Sequence, residues 1–165
     1  MIFVTVGTHE QQFNRLVEYM DKWAERHDEK VIIQSGYSTY EPKIATWSKL
    51  FPYSKMVEMV EEARIVITHG GPSSFIMPLQ IGKTPVVVPR KHSFNEHVND
   101  HQVKFCKEVE SRMGTILVVE DVENLGTILE NYDKIKNEGK NTSNNAKFNA
   151  DLSEIVNEMF EEKIS

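Results

Sequence analysis

The run Ile65-Val66-Ile67-Thr68-His69-Gly70-Gly71-Pro72-Ser73-Ser74 concentrates the chemistry of this chain. An apolar strand that breaks into paired glycines and then hydroxyls builds an anion cradle. Glycines let the backbone turn sharply and approach a ligand, and Pro72 suits the first turn of a following helix, where free N–H groups collect. The segment points to a nucleotide or a sugar phosphate; the alternative is a tight connection with no ligand. Gly7-Thr8-His9-Glu10 forms a second turn, and loop positions at strand ends favour a functional role for His9 and Glu10. His69 either touches a phosphate or sugar or only caps its strand. Arg90 and Lys91 either attract a diphosphate or stand as a solvated pair, the commoner fate of exposed bases. His97 and His101, four apart beside Glu96 and Asp100, would offer zinc two imidazoles and a carboxylate on one helical face, but no H-E-x-x-H order is present.

Such loops need a scaffold that gathers them. Strand-like and helix-like segments alternate from the start, which predicts an α/β fold: a Rossmann-like open parallel sheet with helices on both faces. Strands are expected over 2–6, 31–33, weakly near 45–50, then over 65–68, 86–88 and 116–119. Between them, Phe13, Leu16, Val17, Met20, Trp23 and Ala24 share one helical face, as do Met56, Val57, Met59, Val60 and Ala63. Further helices are expected over 74–81, kinked or started by Pro78, and over 96–111; a single one should carry Val122, Leu125, Ile128, Leu129, Tyr132 and Ile135. Ligands of open parallel sheets bind beyond the carboxyl ends of the strands, which would gather residues 7–10, 51–53, 69–74 and 90–102 into one crevice. After a polar break over 136–145 comes an amphipathic helix with Leu152, Ile155, Val156, Met159 and Phe160 on its stripe. The chain thus divides into a ligand-binding domain over 1–140 and a terminal element over 141–165 that covers the domain or grips another chain.

At 165 residues the chain fits one domain, about half the size of a two-domain nucleotide-sugar enzyme. The net charge of −6 gives no pull toward nucleic acid or anionic lipid, so no nucleic-acid partner is expected. A single cysteine, Cys106, cannot form an internal disulfide and reads as a small apolar filler. No basic leader is visible and the apolar runs fall short of the ~20 residues that span hydrocarbon. The expectation is a cytoplasmic protein whose membrane role is peripheral.

Beyond the glycine run, Gly82-Lys83-Thr84-Pro85-Val86-Val87-Val88-Pro89 and Asn99-Asp100-His101-Gln102 follow in a distinctive order. Together with Val4-Thr5-Val6-Gly7-Thr8-His9-Glu10, Phe13, Leu16 and Val17, they resemble the C-terminal, donor-binding half of GT-B nucleotide-sugar glycosyltransferases. The likeness covers roughly the first 120 residues. It is similar in particular to the short catalytic subunits of bacterial capsule and exopolysaccharide transferases and of the N-glycan UDP-GlcNAc transferase. That resemblance implies a UDP-sugar donor (galactose, or glucuronate or N-acetylglucosamine), a lipid-diphosphate-linked acceptor and a membrane-anchored second subunit, or a homo-oligomer when isolated. It implies no cofactor beyond the UDP-sugar substrate and no metal.

Carried over by resemblance, Gly7 and Thr8 match the first glycine turn, which faces the donor diphosphate or the cleft, while Gly70, Gly71, Ser73 and Ser74 match the main diphosphate loop. Tyr53 lies where the uracil is held, and Asp100 and Gln102 match the groups that bind the donor sugar's hydroxyls. Met77 stands where a ribose-binding glutamate is common, so ribose binding must be rearranged. A general base within reach of the sugar would be His9 or Glu96, or a residue of the partner. A non-catalytic nucleotide-sugar-binding subunit that enhances a partner transferase is the alternative. An NAD-type Rossmann enzyme is disfavoured because Gly7-Thr8-His9-Glu10 lacks the G-x-G-x-x-G spacing.

Overall fold

The computed structural model describes residues 1–139. Strands Ile2–Thr5 (β1), Val31–Gln34 (β2), Thr46–Ser48 (β3), Ile65–His69 (β4), Val86–Val88 (β5) and Leu117–Val118 (β6) form one sheet. Every pairing is parallel and the order is β3-β2-β1-β4-β5-β6. The inner strands β1, β2, β4 and β5 are buried along their whole length, which is why they read as unbroken apolar runs rather than alternating ones.

Successive residues of each strand feed opposite layers. Ile2, Val4, Ile65, Ile67, Val86 and Val88 pack under Leu16, Val17, Met20 and Trp23 of the helix Asn14–Arg26 (α1), together with Val122, Leu125, Leu129 and Tyr132 from the tail. On the other face, Phe3, Ile32 and Val66 meet Met59, Val60 and Ala63 at the end of Tyr53–Glu62 (α2). Val87 and Ile116 meet Phe75 and Leu79 of Pro72–Gln80 (α3) and Phe105, Cys106 and Val109 of His101–Met113 (α4). Cys106 is the apolar filler expected of it: it is fully buried, and burial pushes its thiol up to about 12.

Three expectations change. The helix expected from residue 96 starts at His101, because His92–Phe94 forms a 3-10 turn, Asn95 takes a left-handed φ of 58° and the Glu96 side chain is drawn inward. The tail helix is three pieces: a 3-10 turn over Val122–Asn124, then Leu125–Glu130 (α5) and Tyr132–Gly139 (α6). Its apolar spacing survives those breaks, so periodicity could not reveal them. Pro78 lies inside α3 and does not start it. The terminal amphipathic element over 141–165 lies outside the described residues. Among the described residues no helix is long and apolar enough to cross a membrane.

Asp21 of α1 is 3% exposed and accepts from the Tyr40 hydroxyl (2.8 Å) and the N–H groups of Lys43 (3.0 Å), Ile44 (2.9 Å) and Ala45 (2.9 Å), pinning the loop that enters β3. Burial alone would raise this carboxyl, but those donors together hold it below its ordinary range. Its contribution is therefore present above the unfolded carboxyl value, ~3.9, and is lost as the pH falls through the lower folded value. Asp21→Asn should cost about 2–4 kcal/mol at neutral pH in urea unfolding, because one amide oxygen cannot serve four buried donors. The gap to the parent chain should close on acidification.

Candidate functional site

The strand order reverses between β1 and β4, and beyond their carboxyl ends lies a cleft of about 820 Å³. The loop after β1 brings Gly7, Thr8 and His9 to it, and α3 brings Ser73 and Ser74. Tyr53, 76% exposed at the first turn of α2, stands at its rim, with Met56, Val60 and Met77 forming an apolar wall. Among the described residues no lining residue is Asp, Glu, Lys or Arg. The expected ribose-binding carboxylate thus has no substitute on the wall that Met77 occupies, although Gln34 and Thr5 add polar groups at the strand ends. An anion here would meet dipoles and imidazoles rather than Lys or Arg. The N-terminus of α3 opens onto the cleft with Pro72 at its start and no side-chain cap, so its dipole is available to a phosphate.

The glycines of the main loop have a role that the sequence did not disclose. A Cβ on Gly7 would collide with Nε2 of His69, and one on Gly71 would lie 2.5 Å from Cε1 of the same ring. The His69 imidazole is therefore sandwiched between two glycine backbones. Gly7 also needs its positive φ of 73°. Gly70 does not line the cleft; a Cβ there would press on Cys106 Sγ at 2.9 Å and Gln102 Oε1 at 3.0 Å, so its smallness lets α4 approach β4. His69 is 6% exposed and does more than cap its strand: its ring nitrogens contact Ser74 Oγ (2.9 Å) and Arg90 Nε (3.3 Å). Burial, then the charge of Arg90 and the neighbouring His9 and His97, push His69 down to about 3, so it stays neutral.

His9 is held differently. Its Nε2 meets Gln11 Oε1 at 2.9 Å, and the Gln11 amide nitrogen reaches Asn95 O at 3.5 Å, which turns the amide oxygen toward the ring. Nε2 of His9 therefore donates, and Nδ1 keeps the lone pair that a base needs. The ring stacks on His97 with centroids 4.6 Å apart and planes 8° from parallel. His97 accepts the Asn99 N–H at Nδ1 (3.4 Å). His101 and Asn99 also line the cleft, within the 90–102 stretch expected to border it, although neither was given a ligand-binding role there.

Other expected site residues are placed elsewhere. Glu96 is 1% exposed, pairs with Arg15 through both oxygens (3.0 Å each) and accepts from Lys91 N (3.1 Å); it does not line the cleft and has no oxygen facing an acceptor. The structure thus removes it as a base, because its carboxylate is committed to holding the loop. Asp100 is exposed, lies outside the cleft lining and accepts from His92 N (2.9 Å), so it shapes the turn before α4. Gln102 does line the cleft, but its Oε1 accepts from Arg90 N (3.1 Å), which leaves the amide NH2 to a ligand.

Arg90, far from being a solvated base, is fully buried. Its guanidinium donates to the carbonyls of Val6 (2.7 Å), Gln11 (2.8 Å), Glu96 (3.1 Å) and Gln12 (3.2 Å), tying the loop after β1 to the one after β5. Burial lowers it to about 10, still cationic at neutral pH. A base directly after a wholly buried strand and a proline, as in Val88-Pro89-Arg90, was the available clue. The two imidazoles that zinc would need on one helical face do not share one, because His97 precedes the helix that His101 begins. Among the described residues no three His, Cys, Asp or Glu side chains converge on one point.

Residues 1–159 match the family described as the glycosyltransferase family 28 C-terminal domain. The chain belongs to this family. No curated protein matches it in sequence. Two solved glycosyltransferases share the fold of this family 28 domain. The glycotransferase of kitacinnamycin is 16% identical with a TM-score of 0.53, over 83% of this chain and 38% of that one. The glycosyltransferase SnogD from Streptomyces nogalater is 15% identical with a TM-score of 0.50, over 93% of this chain and 43% of that one. The family 28 domain described here therefore spans less than half the length of either, and the donor-binding, C-terminal GT-B type expected from the sequence motifs is its family and fold.

Proposed function

We propose that the chain is the catalytic, donor-binding subunit of an inverting glycosyltransferase that moves a sugar from a UDP-sugar to a lipid-diphosphate-linked acceptor in exopolysaccharide or capsule synthesis. The donor sugar is galactose, or glucuronate or N-acetylglucosamine. One observation carries this reading: a cleft lined, among the described residues, by no Asp, Glu, Lys or Arg, at the β1–β4 reversal, faces an uncapped helix N-terminus on one side and the His9 imidazole, whose Nε2 is engaged by Gln11, on the other. In this scheme His9 Nδ1 takes the proton of the acceptor hydroxyl, whose oxygen attacks the anomeric carbon opposite the diphosphate. The bond from that carbon to the diphosphate oxygen breaks with inversion, and UDP leaves against the α3 dipole and the Ser73 and Ser74 hydroxyls. No divalent metal is needed, since those groups bear the charge a cation would otherwise neutralise.

The acceptor side is assigned to a second, membrane-anchored subunit. Supporting this are the exposed apolar side chains near the cleft, among them Tyr53 and Val98 on its lining. UDP at a hundred times its dissociation constant should raise the unfolding midpoint by roughly 5–10 °C, read by thermal melting across a panel of UDP-sugars. No shift with any UDP compound would sink the proposal. A shift without turnover in the presence of the partner would favour the non-catalytic, scaffold reading instead.

A further inference from the structure

We infer that Arg90 is a positioning residue for the anion seat: its Nε–H fixes the tautomer of His69, and that tautomer turns the Ser74 hydroxyl into a donor aimed at the cleft. The inference rests on the diphosphate reading above and deepens it by assigning a residue that touches no ligand. A guanidinium carries five N–H donors and no acceptor, so the 3.3 Å contact from Arg90 Nε obliges His69 Nδ1 to accept. A neutral imidazole has one proton, which must then sit on Nε2. Nε2 lies 2.9 Å from Ser74 Oγ, so the hydroxyl oxygen accepts there. Its own hydrogen cannot point back at an N–H and is left for the cleft that Ser74 lines.

The alternative tautomer would reverse the outcome. With the proton on Nδ1, Nε2 would accept the serine hydrogen, and Ser74 would present only lone pairs to a phosphate oxygen, which repels them. Nothing in Ser74 or His69 alone prevents that state. Arg90 prevents it, and it is itself held by four carbonyls on two loops. The two glycines that flank the ring leave the space it occupies between their backbones.

Long-range ¹H–¹⁵N correlation on the labelled protein reads the tautomer directly, and a purely structural Arg90 would not dictate it. The expected spectrum has His69 protonated at Nε2 and bare at Nδ1, with or without UDP. Ser74→Ala should weaken UDP binding by about tenfold or more, while uridine, which lacks the diphosphate, binds as before in shift titrations; Ser74→Thr should restore UDP. Arg90→Lys should release the His69 signature to the other tautomer or a mixture and weaken UDP in the same selective way. If that variant does not fold, the parent spectrum and the serine pair still decide. A His69 protonated at Nδ1, or a Ser74→Ala protein that binds UDP like its parent, would overturn the relay. A parent chain that binds uridine but not UDP would do so too. Failure to bind any nucleotide, with the spectrum as expected, would instead strike the diphosphate reading.

Discussion

His9→Phe should lower sugar transfer by about 10²- to 10⁴-fold while leaving UDP-sugar affinity within a few-fold of the parent. Phenylalanine keeps a flat ring to stack on His97, so the wall of the cleft is retained, but no nitrogen is left to take the acceptor's proton. The expectation is sharp because the alternatives in the cleft are few. No carboxylate lines it, Glu96 is locked to Arg15, and His69 has one nitrogen occupied by Arg90 and its proton turned to Ser74. Turnover measured with the partner present and UDP affinity measured without it separate the two effects. Full turnover in His9→Phe would move the base to His97, His101 or the other chain.

Gly71→Ala and Gly7→Ala should separate as well. At Gly71 the backbone is ordinary, with φ −74° and ψ 128°, so alanine adds no conformational strain there. Its methyl would nonetheless meet His69 Cε1 at 2.5 Å and Nε2 at 2.8 Å. The ring must shift and the contact to Ser74 must open. UDP affinity should fall by at least tenfold with a modest loss of stability. At Gly7 the same ring is struck from the other side and φ is positive, which adds about 1–2 kcal/mol of left-handed strain, so Gly7→Ala should lose both binding and stability. Calorimetric titration with UDP alongside urea unfolding would show this; equal effects at the two positions would mean that the ring is not the shared obstacle.

The layers and the succession of strands and helices along the chain were legible because a parallel sheet buried on both faces leaves contiguous apolar runs, as at residues 65–67 and 86–88, and helices leave stripes such as Leu16, Val17, Met20 and Trp23. The loops gathered at the strand ends were legible for the same topological reason. What escaped was how side chains divide the work there. Gly-Gly beside a hydroxyl pair reads as an anion cradle whether the glycines face the anion or a buried imidazole. Arg90, Glu96 and Asp100 carry charge, and charge in a loop suggests contact with ligand or water; only the three-dimensional partners show two of them buried to hold loops and the third turned to a backbone N–H. Histidines were ambiguous at the outset because one residue type serves as donor, acceptor or base. Neighbours such as Gln11, Asn99 and Arg90, distant or unremarkable in sequence, assign the roles.

The lack of Asp, Glu, Lys and Arg on the cleft, among the described residues, has a consequence for how the molecule meets its ligand in solution. Phosphate sites built on lysine and arginine draw their ligand from a distance, and added electrolyte weakens that draw over a Debye length of ~10 Å or less. Here the chain is net negative and the cleft supplies oriented amides and hydroxyls that act only at contact. Capture should therefore be slow at low ionic strength, and the bound state should be almost indifferent to it. An anion bound this way would be held equally well in dilute buffer and in concentrated salt.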